Sequence, residues 1–135
     1  MLTKDDMLVA LHDAITEDQE FELADEIVDA MEAYPQPFDL VDPVLDFISK
    51  HPEVDFGAPG ELVHFVERFY HQGYEELLME SVLKSPTVHN IWMLHRCYND
   101  NDPNLVRQIQ TLVEELKKDK TLDSQVRSMI EDLTW

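Results

Sequence analysis

The chain has 135 residues, 44% of them hydrophobic, and carries 29 Asp and Glu against 10 Lys and Arg for a formal net charge of −19. That apolar fraction supports a packed core and is too high for a disordered acidic tail. The charge argues against nucleic acid and anionic membranes as direct partners and favours a cationic protein.

Apolar residues at helical spacing define the elements from the N-terminus onward. Thr3 precedes Lys4-Asp5-Asp6, and Met7, Leu8, Leu11 and Ile15 give a first helix over 4–15. Thr16 followed by Glu17-Asp18-Gln19 reads as an N-cap with acids over the positive helix end. The second helix would then run to about Tyr34, burying Phe21, Ala24, Ile27, Val28 and Met31, until Pro35 and Pro37 stop it. Asp42-Pro43 places a proline in the first turn of a third helix, which His51-Pro52 ends. Glu53 to Gly57 reads as a loop.

A broad apolar stripe from Leu62 to Tyr70 marks the next helix, opened by Pro59 and closed by Gly73. Tyr74 to Lys84 forms another. Thr87 can cap a helix carrying Val88, Ile91, Trp92, Leu94 and Tyr98, and Asp102-Pro103 starts one carrying Leu105, Ile109, Leu112 and Leu116. Leu122 to Leu133 is the last. No segment alternates with period two. The expectation is therefore an all-α fold, one domain over 1–135, with about seven to eight short helices in consecutive antiparallel hairpins, as in an irregular α-solenoid-like bundle.

The charge is unevenly distributed. Residues 1–56 hold sixteen acids against Lys4 and Lys50, a net of −14, while the remaining seventy-nine hold thirteen acids and eight bases, a net of −5. On a second helix of that extent, Asp18, Glu22, Asp25, Asp29 and Glu32 would share about an 80° arc, with Glu26 at its edge. Asp39, Asp42 and Asp46 extend the acidity toward the third helix. Like charges at i, i+3 and i+4 cost a helix about 0.2–0.5 kcal/mol per pair. Such a stripe is either a solvated face or a binding face for a basic groove, and its confinement to one half of the chain favours the second.

Signals for chemistry are sparse. Glu61-Leu-Val-His64 has the Glu-x-x-His spacing of carboxylate-bridged metal bundles, but a site of that kind needs a second pair, and none exists. The remaining histidines form no zinc motif, and neither a Gly-rich phosphate loop nor a nucleophile elbow occurs. Cys97, the single cysteine, excludes an internal disulfide and reads as a small buried hydrophobe from a reducing compartment. No apolar signal-peptide region follows Met1, and no run approaches the roughly 20 apolar residues that span a bilayer. The expectation is a cytoplasmic protein that is not an enzyme and holds no metal or cofactor.

One stretch carries a family likeness. Gly57-Ala-Pro59-Gly60-Glu-Leu-Val-His64-Phe-Val-Glu67, Tyr74-Glu-Glu-Leu-Leu, and Ser85-Pro86-Thr87-Val-His-Asn90-Ile-Trp92-Met-Leu-His-Arg96 resemble small α-helical immunity proteins of bacterial polymorphic-toxin and contact-dependent growth inhibition systems. The resemblance spans about forty residues, roughly a third of the chain. It implies a cognate antitoxin that binds a neighbour-encoded toxin in the cytoplasm; such toxins are often basic nucleases. These words set helix starts and packing, so no toxin-contact residue follows from them.

The candidate partner-binding residues come from the acidic stripe alone: Asp18, Glu22, Asp25, Glu26, Asp29, Glu32, Asp39, Asp42 and Asp46, with Tyr34 or Phe38 as aromatic anchors beside them. A monomer would bind one toxin domain and fill its cationic cleft. The competing reading is a helical scaffold or adaptor module with no toxin partner.

Overall fold

Side-chain caps set several of the helix starts. In a computed structural model that describes residues 2–99 and 102–135, Thr3 and Asp6 close a reciprocal capping box, with Thr3 N–H to Asp6 Oδ2 at 3.1 Å and Asp6 N–H to Thr3 Oγ1 at 3.0 Å. This opens α1 (Lys4–Asp13). Thr87 and Asn90 form a second box at the start of α6 (Val88–Tyr98), and the Asn90 amide also donates to the Ser85 carbonyl at 2.9 Å. Asp102 caps α7 (Pro103–Lys118), with proline in the first turn, and Asp123 caps α8 (Ser124–Asp132).

The other helices are α2 (Asp25–Glu32), α3 (Val41–Lys50), α4 (Gly60–Glu67) and α5 (Tyr74–Lys84), with a 3₁₀ turn over Pro37–Leu40 leading into α3. Among the described residues there are eight α-helices and no named strand, so the fold is all-α, as the periodicity predicts. No helix among them is long and apolar enough to cross a membrane.

Several boundaries differ from the sequence reading, some by only a residue or two: α1 ends at Asp13 rather than 15, α2 at Glu32 rather than Tyr34, and α8 spans Ser124–Asp132 rather than 122–133. The helix expected to close at Gly73 ends at Glu67, because the N–H groups of Arg68, Phe69, Tyr70 and Gln72 each donate to the third carbonyl before them and His71 takes a left-handed φ of 64°. The larger departure lies between α1 and α2. Residues 16–24 are not helical: Thr16 Oγ1 accepts the Glu20 N–H at 3.1 Å, Gln19 takes φ 62°, and isolated bridges pair Ile15 with Phe21 and Glu20 with Asp55. A helix there would set Asp18 and Glu22 beside Asp25 on one face. The turn separates them and sends Phe21 to Phe56 and Phe47, at ring-centroid distances of 5.2 and 6.1 Å.

The chain divides into two compact units. The first takes the chain up to Phe47 together with Glu53–Tyr74. Its buried residues include Met7 and Leu11 of α1, Met31 of α2, Val44 of α3 and Leu62 and Val66 of α4. Two aromatic groups reinforce it: Phe47 and Phe56 at 5.9 Å, and Phe69 against both Phe38 (5.5 Å) and Phe65 (5.8 Å). Gly73, at φ 112°, lies so close to Phe38 that a Cβ would sit 3.0 Å from its ring.

The second unit comprises Ile48–Pro52 and Glu75–Trp135, and within it α6, α7 and α8 pack on one another. Ile91 and Leu94 of α6, Ile109 and Val113 of α7, and Val126 and Ile130 of α8 are buried. Trp135 folds onto this unit. Its indole N–H donates to the Ile130 carbonyl at 2.9 Å, and its ring meets His95 edge-on at 4.9 Å. Cys97 is buried.

Candidate protein-binding face

Assigned to the two units, the charge asymmetry sharpens. The first holds eighteen carboxylates against Lys4 and Arg68, a net of −16; the second holds eleven against eight cations, a net of −3. All nine acidic candidates, with Tyr34 and Phe38, belong to the first unit. Asp18, Glu22, Asp25, Glu26, Asp29, Glu32, Asp39 and Asp42 are exposed, whereas Tyr34 and Asp46 are half-buried.

On α2 the local geometry follows from the helical repeat. At 100° per residue, Asp25, Asp29 and Glu32 fall within about 60° of one another, and Glu26 stands about 60° outside that arc. Ile27, Val28 and Met31 take the other side, which turns the acids to solvent. Asp25 and Glu26 also sit in the first turn, where the helix dipole favours negative charge. The stripe is shorter than the sequence suggests: Asp18 lies in the Thr16–Glu20 turn and Glu22 in the extended segment after it.

Compensation is slight. Arg68 approaches Glu32 at 3.7 Å, a pair about half exposed on both sides. Among the described residues no ion pair engages Asp18, Glu22, Asp25, Glu26, Asp29, Asp39 or Asp42. Asp46 differs, being half-buried and engaged within the fold. Asp39 follows Pro37 in the 3₁₀ turn, and Asp42 stands in the first turn of α3.

The two aromatic candidates part company. Phe38, half-buried, packs into the first unit against Phe69 and Gly73. Tyr34 instead lines a concavity of about 340 Å³ with Leu2, Thr3, Pro35, Gln36 and Asp39. The sequence reading missed Leu2, Thr3, Pro35 and Gln36 as members of this surface. The Pro35-x-Pro37 break directly after α2 is the signal that the chain turns there and leaves a recess. Glu61 and His64 of α4 are both exposed, and no group of three potential metal ligands forms among the described residues.

Comparison with protein families, curated proteins and solved structures finds no match to this chain.

Proposed function

We propose that the chain is an immunity protein that neutralises a cognate, cationic toxin domain, a nuclease being the best-fitting class. The observation that supports this most directly is the concentration of exposed, largely uncompensated carboxylates in one structural unit. Solubility alone needs charge, but it does not need sixteen net negative charges in one unit beside three in the other.

In this reading the acids of α2, with Asp39 and Asp42, enter the positively charged cleft in which a nuclease receives phosphates. Inhibition is steric and electrostatic, by one monomer on one toxin domain in the bacterial cytoplasm. The field accelerates encounter by about 10–10³-fold at low salt. Affinity needs a desolvated centre as well, since charge supplies rate and specificity more than binding energy.

The test is co-expression with the polypeptide encoded immediately upstream, scoring growth and co-purification. Rescue of growth with a stable one-to-one complex is expected. Charge reversal at Asp25 and Asp29 together (Asp25→Lys, Asp29→Lys) should then weaken the complex strongly while the far-ultraviolet circular dichroism stays unchanged. A harmless neighbour that forms no complex would overturn the reading.

A further inference from the structure

We infer that the concavity around Tyr34 is a receptor for an arginine side chain of the cationic partner. The inference rests on the preceding reading only in taking that partner to be a cationic protein, and it adds which side chain the surface selects.

The recess has the composition such a side chain needs. Leu2, Tyr34 and Pro35 bring apolar surface, and the exposed Asp39 brings a carboxylate. Arginine uniquely joins an aliphatic stem, a flat face that stacks on an aromatic ring, and a fork of donors that matches a carboxylate. A purely apolar side chain would strip water from Asp39 and give nothing back. An anion would meet the charge of the whole unit. Lysine would satisfy the charge without the stacking or the two-pronged hydrogen bonding. The volume, about 340 Å³, lies near the lower limit for ligand pockets of about 300–1,000 Å³ and suits one long side chain.

Tyr34 itself stands apart. Tyr70, Tyr74 and Tyr98 all have aromatic ring neighbours, at 5.6 Å between Tyr70 and Tyr74 and 5.6 Å between Tyr98 and Trp135. Among the described residues Tyr34 alone of the four tyrosines has neither a ring contact nor a hydrogen bond from its hydroxyl. Its backbone is nonetheless fixed, with Tyr34 N–H donating to the Met31 carbonyl at 3.2 Å and Asp39 N–H to the Gln36 carbonyl at 2.9 Å. Pro35 and Pro37 restrict the segment between them. Thr3 is held on the α1 side by its capping box. A half-buried ring on a pinned backbone loses little entropy when a guanidinium settles on it.

The probe is a pair of nine-residue peptides, three repeats of Arg-Gly-Ser and three of Lys-Gly-Ser, titrated into the 15N-labelled protein at one fixed salt concentration. The arginine peptide is expected to bind about two- to fivefold more tightly than its lysine twin, with saturable shifts at the amides of Tyr34, Gln36 and Asp39. Tyr34→Leu should abolish that preference while leaving the binding of the lysine peptide largely intact, and Asp39→Asn should weaken both peptides and remove the difference between them. Equal affinities, or a preference that survives both substitutions, would overturn the inference. The peptides report on the recess and the toxin co-expression on the function, so the two can fail separately. A complex that neutralises a toxin without any arginine preference would remove only the receptor.

Discussion

The backbone N–H of Asp55 donates to the carbonyl of Gln19 at 2.8 Å, and Gln19 holds a left-handed φ of 62° while it accepts. This contact ties the acidic turn after α1 to the loop that carries Phe56. Left-handed backbone costs an ordinary residue about 1–2 kcal/mol and a β-branched one more, whereas glycine adopts it freely. Gln19 already bears that cost, so Gln19→Val should destabilise the protein by the β-branched excess alone, up to about 1 kcal/mol, and Gln19→Gly should be neutral or slightly stabilising, by up to about 1 kcal/mol. Urea denaturation of both variants checks the sign.

The same turn explains where sequence reading succeeds and where it stops. α6 and α7 were legible nearly to the residue because Thr87, Asp102 and Pro103 announce their own starts. Thr16 announces a start as well, but its hydroxyl closes a turn onto Glu20 instead. What decides between these outcomes is Phe21, whose ring reaches Phe56, thirty-five positions further on, and a local window contains no trace of that contact. At the candidate face the carboxylates of α2 were legible from their spacing. The recess at Tyr34 was not, since Leu2 and Thr3 come to it from α1's beginning, across the fold.

Phe56 is 2% exposed and shares the aromatic cluster with Phe21 and Phe47. Truncation to alanine removes a buried ring and leaves a cavity that its neighbours fill only in part. Phe56→Ala should cost about 3–5 kcal/mol, and Phe21→Ala less, because Phe21 is only half-buried. Chemical denaturation midpoints rank the two, and an equal loss would refute the packing described.

In the second unit, Thr87 and Asn90 are both buried and cap α6 reciprocally. Thr87→Ala leaves the Asn90 N–H without its acceptor and should cost about 1 kcal/mol, within a range of about 0.5–2. Asn90→Ala loses more, since the Thr87 N–H and the Ser85 carbonyl are abandoned together. Thermal unfolding followed by circular dichroism gives the order.

Asp119 and Asp6 are each held below the ordinary carboxyl range by a nearby threonine. The Thr121 hydroxyl (2.7 Å) and then its backbone N–H (2.9 Å) hold Asp119 below its ordinary value of 3.8, and the Thr3 backbone N–H and then its side chain do the same for Asp6. A depressed folded value means that each contribution is complete above the unfolded value and is lost as pH falls through the folded one. Thr121→Val removes the larger cause for Asp119, so its titration should move up toward 3.8. Carboxyl 13C shifts recorded from pH 2 to 6 will show whether it does; an unmoved midpoint would mean that this hydrogen bond does not hold in solution.

Asp29 stands four residues after Asp25 and three before Glu32, on the exposed arc of α2. Replacing it by lysine removes two like-charge neighbours, each worth about 0.2–0.5 kcal/mol, and introduces attraction in their place. Asp29→Lys should therefore raise the melting temperature. That gain should shrink with salt, because the screening length falls from about 30 Å at 0.01 M to about 10 Å at 0.1 M. A face that exists to meet a cationic partner predicts the opposite sign for binding: the same substitution should slow association while it stabilises the free protein. Melts at two salt concentrations, paired with stopped-flow association rates, separate the two effects. A merely solvated face yields the stabilisation alone, and only a binding face combines it with slower capture.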